Sequence, residues 1–507
     1  MKTQTIGTLL SAGLILSGVN ALPGQQVDQP NVIYVFPDQF RNSAMQFWNE
    51  KEFKKMVRFE ADPVYTPVLN KFARESVVLT SAQSSCPLSS PHRGMLLTGM
   101  YPEGSGVPLN CNNTRPISNL KQDAIAISDV FSQNGYDCAY FGKLHVDYPT
   151  KNNPQNPGTY VEDRNPVWDA FTPKERRHGF NYWYSYGTFD EHKNPHYWDS
   201  NDNRHDPNEW SPKHEADKVI EYLQVHRDKS KPFFMMVSMN PPHSPYKSLD
   251  DCMEEDYNLY KDKSLKELLV RPNVNPKLID RQQNAPWYFA SVTGVDREFG
   301  RILDALKKMG LEKNTIVVFS SDHGETLASH VADAKNSPYA EAMNVPFLIR
   351  YPEKLKPRVS NVLLTTPDIM PTLLSLAGLK NQIPSSVQGN DLSAELRRKK
   401  SSGQAPKAVL YMQNVDGEKD SNGKVISYFP VSRGLKTERY TLSISIDKKT
   451  KKLKQVLMFD DLKDPYQMNN LSVEENKKLF DSLCKQMPAL LKKANDPWYR
   501  EKILPFK

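Results

Sequence analysis

Four apolar runs along the chain have the pattern of β-strands that are buried on both faces. Each run is continuous rather than alternating, which is typical of a strand in a parallel sheet whose two faces are covered. The runs are Asn31–Phe36, Tyr136–Phe141, Phe233–Met239 and Thr315–Phe319. Between them, segments such as 125–132 and 291–309 carry apolar residues three and four positions apart, a spacing that predicts helices. The alternation predicts an α/β fold with a large, mostly parallel sheet sandwiched by helices.

Polar residues of the types used in catalysis follow each predicted strand. They are Asp38 and Gln39 after the first, Lys143 and His145 after the second, His243 after the third, and Asp322 and His323 after the fourth. Any one of them could be a helix cap, a loop histidine or a solvated lysine. In parallel sheets, however, ligands bind outside the carboxyl ends of the strands, and all four sets lie at that edge. The sequence therefore predicts a functional site there.

A polar segment between the first two strands predicts a helix N-terminus. Ser90 followed by Pro91 is typical of an N-cap with proline in the first helical turn. The simplest interpretation is a capped helix with Arg93 on its surface. A helix N-terminus also carries free N–H groups that attract anions. Ser89 at that end, with Arg93 about one turn inside, would then form an anion site.

The first 21 residues have the features of an export signal. Lys2 supplies a positive start, 6–19 is an apolar stretch, and Val19-Asn20-Ala21 is a small-x-small cleavage site. The alternative is a buried N-terminal strand or helix. The stretch is shorter than the roughly 20 apolar residues that cross a bilayer, and no other run is long enough, so no membrane span is predicted. We expect a signal peptide over residues 1–21.

Composition narrows the function classes. Lys and Arg total 66 against 59 Asp and Glu, a net charge of +7 that permits an anionic substrate without requiring nucleic acid, for which the sequence has no binding motif. The five cysteines include no CxxC pair, which excludes zinc fingers and thioredoxin chemistry. One or two disulfides remain open, and an odd count leaves at least one thiol outside an intrachain bridge.

One motif identifies a family resemblance. The run Ser89-x-Pro91-x-Arg93, continued by Leu97-Thr98-Gly99, closely resembles the signature of type I sulfatases, members of the alkaline-phosphatase-like superfamily. The first residue of that signature, Cys or Ser, is oxidised to formylglycine (3-oxoalanine). Ser89 makes the chain similar to the serine-type bacterial subgroup, which implies a serine-type formylglycine-generating maturation enzyme as a partner and export to the bacterial periplasm. Cys86 does not fit, because it lies seven positions before Arg93 rather than four.

Other segments resemble further motifs of the sulfatase family and occur in the same order along the chain. The resemblance therefore runs from about residue 30 to about residue 475. They are Asp38-Gln39, Gly142-Lys143-x-His145, Asn240 to His243, Ser321 to Gly324, Lys335, Val345 to Phe347, 368–374, Arg433 to Tyr440, Asp461 to Pro465, and Asn470-Leu471.

The resemblance implies a metal centre and a set of catalytic roles. One divalent cation, Ca²⁺ with Mg²⁺ as the alternative, would be held by Asp38, Gln39, Ser89, Asp322 and His323, a set dominated by the hard oxygen ligands that both ions prefer.

Six residues receive catalytic roles from the same resemblance. Ser89, as formylglycine hydrate, would carry the nucleophile, and Arg93 and Lys143 would hold it. His145 would take the proton whose loss triggers sulfate release. His243 would face the leaving alcohol as general acid, with help from Lys335.

The domain organisation is predicted from composition shifts. A sulfatase catalytic domain over 28–395 would be followed by a basic, turn-rich linker and a small C-terminal α+β subdomain over 405–507. The subdomain would contain a short antiparallel sheet and a final helix. The runs behind this prediction are Val409–Met412, Tyr440–Ile446 and Gln455–Phe459 for strands and Glu474–Lys493 for the helix.

The substrate side is predicted from a long polar segment, 147–214, that is rich in aromatic residues. These residues could stack on sugar faces or simply hold the segment together. They are Trp183, Tyr184, Tyr186, Tyr197 and Trp198. Together with export, the segment favours a sulfated sugar or glycan over a small aryl sulfate.

Two alternatives remain open. A phosphatase or phosphodiesterase of the same superfamily would use an unmodified hydroxyl and two metal ions. The positions that would bind the second ion correspond to Lys143, His145 and Lys335, and positive side chains there repel a cation. A glycan-binding pseudoenzyme, in which Ser89 is never converted, is the second alternative.

Overall fold

The structure, a computed structural model, describes residues 29–331, 333–398 and 405–503. The predicted signal peptide, 1–21, lies outside the described residues, as does part of the predicted linker.

The strands of the described residues fall into three sheets. They are β1 (Asn31–Val35), β2 (Val77–Leu79), β3 (Ala82–Gln83), β4 (Asp137–Lys143), β5 (Tyr182–Tyr186), β6 (Tyr197–Asp199), β7 (Arg204–His205), β8 (Phe233–Ser238), β9 (Thr315–Phe319), β10 (Leu348–Arg350), β11 (Arg358–Ser360), β12 (Leu364–Thr365), β13 (Ala408–Asp416), β14 (Tyr428–Thr437), β15 (Tyr440–Ile446) and β16 (Leu453–Asp460).

The α-helices range from single turns to the 24-residue α9. They are α1 (Lys51–Lys54), α2 (Pro67–Arg74), α3 (Ser89–Thr98), α4 (Pro102–Ser105), α5 (Ile127–Gln133), α6 (Ser211–Glu221), α7 (Glu254–Tyr257), α8 (Leu265–Leu268), α9 (Ala285–Lys308), α10 (Ala340–Met343), α11 (Ile369–Leu376), α12 (Ser393–Arg397), α13 (Lys477–Cys484), α14 (Met487–Lys493) and α15 (Pro497–Arg500).

The main sheet has the strand order β11-β2-β10-β9-β1-β8-β4-β5-β6-β7. The strands from β9 to β5 in this order are parallel to one another, and the two edges include antiparallel pairs. The four strands predicted from the apolar runs are β1, β4, β8 and β9, which are consecutive neighbours at the centre. Their carboxyl ends therefore meet at one edge, as the sequence predicts.

Both faces of the main sheet are covered, which explains why its central strands are apolar throughout. Ile33 and Val35 of β1 belong to an apolar cluster that includes α9 on one face. Val32 and Tyr34, the alternate residues, belong to a second cluster that includes residues of α3, α5 and α11 on the other face. The predicted α/β sandwich is confirmed.

The C-terminal part contains the antiparallel sheet β13-β14-β15-β16, which shares an apolar cluster with Met95 of α3. The single helix predicted over Glu474–Lys493 is wrong, because the structure has two, α13 and α14. The break precedes Pro488, whose ring nitrogen has no hydrogen to donate to the preceding turn. The strand β14 is absent from the runs predicted by apolar pattern, because Pro430 and Gly434 interrupt that pattern. The family resemblance alone placed its second half, from Arg433 onwards, in the C-terminal sheet.

The five aromatic residues predicted to face a sugar in segment 147–214 are structural. Trp183, Tyr184, Tyr186, Tyr197 and Trp198 are only 0–4% exposed and lie on β5 and β6 of the main sheet. Their predicted stacking on sugar faces is wrong, since burial leaves no ring face for a ligand. The alternative, that they hold the segment together, agrees with their packing.

The cysteines and the helices add two further observations. All five cysteines lie in the described residues and each is free, so none of the disulfides that the sequence left open is present in the structure. Among the described residues, no helix combines the length and the apolar character that crossing a membrane requires.

Candidate active site

The turn after β1 is hydrogen-bonded to residues that follow the two neighbouring strands, β8 and β9. The backbone N–H of Asp38 donates to the carbonyl of Met239, at the end of β8, over 2.9 Å. The hydroxyl of Ser321, after β9, donates to the carbonyl of Pro37 over 2.8 Å. Gln39 has a φ of 64°, in the left-handed region that non-glycine residues seldom adopt. These bonds fix the position of both polar residues that follow β1.

Helix α3 presents Ser89 at the same edge of the sheet. The helix begins at Ser89 and its N-cap is Leu88, so the predicted N-cap at Ser90 is wrong. The hydroxyl of Ser90 instead accepts a hydrogen bond from the backbone N–H of Cys111 (3.0 Å), which removes it from the helix end. Ser89 and Arg93, one turn apart, are each 1% exposed. The predicted placement of these two residues is confirmed.

Two buried carboxylates face two buried cations in this cluster. Arg93 Nη2 lies 3.0 Å from Asp38 Oδ2, and Arg93 Nε lies 3.4 Å from Asp322 Oδ2. Lys143 Nζ lies 2.8 Å from Asp38 Oδ2. Burial opposes ionisation of Asp38, but the nearby charges, Lys143 foremost, outweigh it and hold the pKa of this carboxyl well below its usual range. Asp38 is therefore a carboxylate at neutral pH.

His323 offers a free nitrogen to both carboxylates. Its Nδ1 donates to the carbonyl of Gly324 (3.0 Å), which leaves Nε2 with a lone pair. That Nε2 lies 3.5 Å from Asp38 Oδ1, 3.7 Å from Asp322 Oδ2 and 3.0 Å from the hydroxyl oxygen of Ser89. Burial lowers the pKa of His323 to about 4, so the ring is neutral near pH 7. This is the protonation state in which histidine binds a metal.

The donor atoms of this cluster fit a cation. One ligand atom each from Asp38, Asp322 and His323 lies within 4.8 Å of the other two. Asp38 Oδ1 and Asp322 Oδ2 are buried and have no hydrogen-bond partner among the described residues. Asp322 Oδ2 has Arg93 Nε 3.4 Å away as an ion-pair partner, whereas Asp38 Oδ1 has no such partner in the described part of the chain. Because a buried carboxylate oxygen without a hydrogen bond is costly, Asp38 Oδ1 in particular indicates a positive partner such as a metal ion.

Gln39 lies at the edge of the same cluster. Its Oε1 accepts a hydrogen bond from Lys335 Nζ (3.0 Å), and its Nε2 donates to Glu325. The sequence places Gln39 among the metal ligands. In the structure its amide oxygen lies close enough to share a cavity with Ser89, while its hydrogen-bond partner is Lys335.

Lys335 connects the nucleophile position to His243. Its Nζ lies 2.9 Å from His243 Nε2 and 3.5 Å from the hydroxyl oxygen of Ser89. His243 Nδ1 donates to the carbonyl of Ser244 (2.7 Å) and lies 3.5 Å from Asp190 Oδ1. Burial lowers the pKa of Lys335, which makes its proton easier to transfer.

His145 lies on the other side of the cluster with one nitrogen available. Its Nε2 donates to the carbonyl of Cys111 (3.2 Å), and its buried Nδ1 has no hydrogen-bond partner among the described residues. Burial, followed by the charges of Lys143 and Arg93, holds its pKa well below the usual range. The neutral ring can therefore accept a proton at Nδ1.

The structure brings the predicted residues together around one cavity of about 580 Å³. Ser89, Gln39, Lys143, His145, His243 and Lys335 line it, and Asp38, Arg93, Asp322 and His323 lie against them.

Sequence reasoning assigned no role to two functional candidates, Asn240, which it named within a family segment, and Asp190, which it did not name. Asn240 accepts from Lys143 Nζ (3.0 Å) and lies only three positions before His243. Asp190 lines the cavity and faces His243. A signal for Asp190 was available: it follows the apolar run Tyr182–Tyr186, the strand β5, as Asp38 follows β1.

A comparison with protein families decides the assignment. The model of the family described as Sulfatase matches residues 30–379, which is more than half of the chain. The chain belongs to the sulfatase family. A second family, described as N-sulphoglucosamine sulphohydrolase, C-terminal, matches residues 330–495 of this sulfatase. The predicted family and the predicted enzyme class, a sulfuric ester hydrolase, are confirmed.

Individual relatives agree with this assignment. The sulfatase is 63% identical to the endo-4-O-sulfatase of Bacteroides thetaiotaomicron, over 95% of each chain. It is 31% identical to an ulvan-active sulfatase of Formosa agariphila, over 92% of this chain and 81% of that one.

Solved structures confirm the alkaline-phosphatase-like fold. A 63% identical structure, from work on the metabolism of multiple glycosaminoglycans by Bacteroides thetaiotaomicron, superimposes with a TM-score of 0.92 over 94% of this sulfatase and 99% of that chain. A phosphonate monoester hydrolase of Agrobacterium radiobacter, 18% identical, shares the fold with a TM-score of 0.61, over 94% of this sulfatase and 96% of that chain.

Proposed function

We propose that this sulfatase hydrolyses a sulfate ester on a sugar of a sulfated glycan, with a formylglycine made from Ser89 beside one divalent cation. The observation that carries the proposal is the position of the Ser89 hydroxyl oxygen, 3.0 Å from His323 Nε2 and 3.5 Å from Lys335 Nζ, in a cavity lined by cations. The glycan substrate is supported by the endo-4-O-sulfatase and ulvan-active sulfatase relatives.

Asp38, Asp322 and His323 would hold the cation, with Gln39 and Ser89 completing its oxygen ligands. Two carboxylates suit Ca²⁺, and Mg²⁺ is the alternative. When bound, the cation acts as a Lewis acid that activates the attacking oxygen and offsets the charge of the sulfate.

Conversion of Ser89 makes release of the bound sulfate possible. When sulfate is attached to one oxygen of a hydrated aldehyde, loss of the proton from the other oxygen re-forms the carbonyl and expels the sulfate. A sulfate attached to an ordinary serine cannot leave in this way. Arg93 and Lys143 hold the oxygen atoms at this position and balance negative charge. His145 takes a proton through Nδ1, the nitrogen left free by the bond from Nε2 to Cys111.

His243 and Lys335 donate a proton to the leaving alcohol. Both line the cavity, and the 2.9 Å between His243 Nε2 and Lys335 Nζ lets the pair share a proton. Donation of that proton to the departing sugar oxygen avoids forming an alkoxide, which is a poor leaving group.

The charge around Ser89 disfavours a two-metal phosphatase. Lys143 Nζ lies 2.8 Å from Asp38 and Lys335 Nζ lies 3.5 Å from Ser89, so two ammonium groups occupy the space in which a second cation would bind. The pseudoenzyme alternative differs from the proposal only in the chemical state of Ser89.

Mass spectrometry of the Ser89 peptide from the native host tests the proposal. Formylglycine lowers the mass of serine by two hydrogens. We expect the converted peptide together with sulfate release from a sulfated glycan, and neither from Ser89→Ala. An unmodified serine in protein purified from the native host would refute the formylglycine, and a converted peptide with no sulfate release would refute the glycan substrate.

We also propose export to the bacterial periplasm with removal of residues 1–21. N-terminal sequencing of the protein from the periplasmic fraction should begin at Leu22. An N-terminus that retains the first 21 residues would contradict cleavage, and recovery only from the cytoplasmic fraction would contradict export.

A further inference from the structure

A second cleft, of about 360 Å³, lies beside the active-site cavity. The two share Arg164 and Asn165 as a common wall, and the outer cleft is further lined by Lys151, Tyr160 and Asp163. Ligand sites for molecules of drug size occupy about 300–1,000 Å³. The cavity and the cleft together therefore have room for more than the one sugar that carries the reacting sulfate.

Arg164 stands between the two spaces with its guanidinium group accessible. The side chain is 46% exposed, and its guanidinium carbon lies 5.5 Å from the centre of the Phe189 ring. Its Nη2 lies 3.3 Å from Glu191 Oε1, and its Nε lies 3.5 Å from Glu162 Oε2. The Glu191 side chain is 53% exposed, whereas that of Glu162 is 7% exposed. Because exposed ion pairs contribute little stability, an anionic ligand can replace Glu191 at small cost.

The outer cleft is lined by two cations, Lys151 and Arg164, and by two acids, Glu162 and Asp163. Lys151 Nζ lies 5.8 Å from the Tyr160 ring centre and forms no ion pair within the described residues. Glu162 stabilises its own loop, because its Oε1 accepts hydrogen bonds from the backbone N–H groups of Trp168 (2.7 Å) and Asp169 (3.0 Å). Of the two cations, Arg164 is the one that also lines the active-site cavity.

We propose that the outer cleft binds the sugar next to the one that is desulfated, and that Arg164 binds an acidic group on that sugar, a carboxylate or a second sulfate. The inference rests on the proposed function and adds a site to it. The planar guanidinium can donate two parallel hydrogen bonds to either acid. Because the cleft continues beyond Arg164, a glycan chain can extend past the reacting sugar in this direction.

Steady-state kinetics on two substrates test the site. The probes are chondroitin 4-sulfate, a polymer in which a uronate alternates with a 4-O-sulfated amino sugar, and the monosaccharide N-acetylgalactosamine 4-sulfate. For Arg164→Ala, we expect KM for the polymer to rise about tenfold more than KM for the monosaccharide, the factor that one charge-assisted contact provides. Arg164→Lys, which keeps the charge, should recover part of the loss.

A matched control is Arg74→Ala. Arg74 is 53% exposed and pairs with Glu50 (2.7 Å) and Glu52 (3.2 Å), so it has the same character as Arg164 and lies outside the cavity and the cleft. We expect wild-type KM for both substrates. Equal changes on both substrates, or none, in Arg164→Ala would overturn the inference.

A binding measurement separates this inference from the proposed function. Full-length Ser89→Ala cannot be converted, so its retardation in a gel containing chondroitin 4-sulfate needs no turnover. We expect strong retardation that Arg164→Ala, added to Ser89→Ala, weakens about tenfold and that Arg74→Ala leaves unchanged. Retardation that Arg164→Ala does not alter would contradict the cleft. A converted wild-type enzyme that releases sulfate from no sulfated glycan or sugar, while Ser89→Ala still shows retardation that depends on Arg164, would contradict the proposed function alone.

Discussion

The hydroxyl oxygen of Ser89 lies 3.0 Å from Nε2 of His323, although 234 positions separate the two residues in the chain. The contact exists because the first residue of α3 meets the turn after β9 at the carboxyl edge of the main sheet. The same nitrogen lies 3.5 Å from Asp38 Oδ1, so the nucleophile position and the candidate metal ligands form one cluster.

Substitution of His323 by Ala should weaken Ca²⁺ binding. It removes one of three closely placed donors and leaves the two carboxylates without a neutral partner. We expect a loss in affinity of at least about tenfold, measured by calorimetric titration of the full-length protein, since even outer-shell changes at metal sites cost about 10–100-fold. His205→Ala, an exposed histidine paired with Asp199, is the control and should keep wild-type affinity. Unchanged affinity in His323→Ala would remove His323 from the metal site.

Substitution of Asp190 by Asn should slow release of a poor leaving group. Asp190 Oδ1 lies 3.5 Å from His243 Nδ1, so the carboxylate helps to hold the ring in the orientation from which it can donate to the leaving alcohol. We expect kcat on a sugar sulfate to fall about 10–100-fold, a part of the effect of general acid catalysis. On 4-nitrophenyl sulfate, whose leaving group needs no proton, kcat should change much less. An equal fall on both substrates would contradict this role.

Substitution of Trp198 by Ala should lower stability rather than substrate affinity. The side chain is buried and packs edge-to-face on Phe171, with ring centres 5.0 Å apart. We expect the free energy of unfolding to fall by about 3–5 kcal/mol, the usual cost of removing a buried tryptophan, as measured by chemical denaturation. KM should stay near the wild-type value. A large rise in KM with unchanged stability would restore the sugar-stacking hypothesis.

Glu341 should make the free energy of unfolding depend on pH in the acidic range. Burial opposes its ionisation, but Arg271, whose Nη2 lies 2.8 Å away, and Arg41 outweigh burial and lower the pKa to about 2. The unfolded state, with an ordinary pKa near 4.5, then binds more protons than the folded state between these values. This contribution is fully present above about pH 4.5 and is lost as the pH falls towards 2.

The matching experiment compares wild type with Glu341→Gln. The shift corresponds to about 3 kcal/mol at most. In denaturation curves between pH 6 and 3, the difference in stability between the two proteins should shrink as the pH falls. A difference that stays constant over this range would show that the ionised form of Glu341 is not preferentially stabilised by folding.

The central sheet and most of the site were predictable because both depend on short-range patterns. A strand buried on both faces must be apolar throughout, so β1, β4, β8 and β9 stand out in the sequence, and Asp38 or Asp322 then follows at a fixed edge. The signature around Ser89 and Arg93 is equally local. These features need no knowledge of what packs against them.

Other features depend on tertiary contacts and were therefore missed or misjudged. The exposure of Trp198 is decided by the pairing of β6 with β5, which the sequence does not display. The role of Asp190 depends on His243, which lies 53 positions further along the chain and reaches it only in the folded sheet. Ser90 is of a residue type that often caps helices, yet its hydroxyl accepts a hydrogen bond from the backbone N–H of Cys111 instead.

The positive charge that a bound cation would add around Ser89 has a kinetic consequence. Arg93, Lys143 and Lys335 are matched in number by the carboxylates of Asp38, Asp322 and Asp190, so a bound divalent ion would leave a net positive charge. The sulfate group of the ester carries one negative charge, and the inorganic sulfate released from it carries two, so the site attracts the product more strongly than the sulfate group of the substrate. We therefore expect product inhibition, with departure of the free anion rather than bond cleavage limiting turnover once sulfate accumulates.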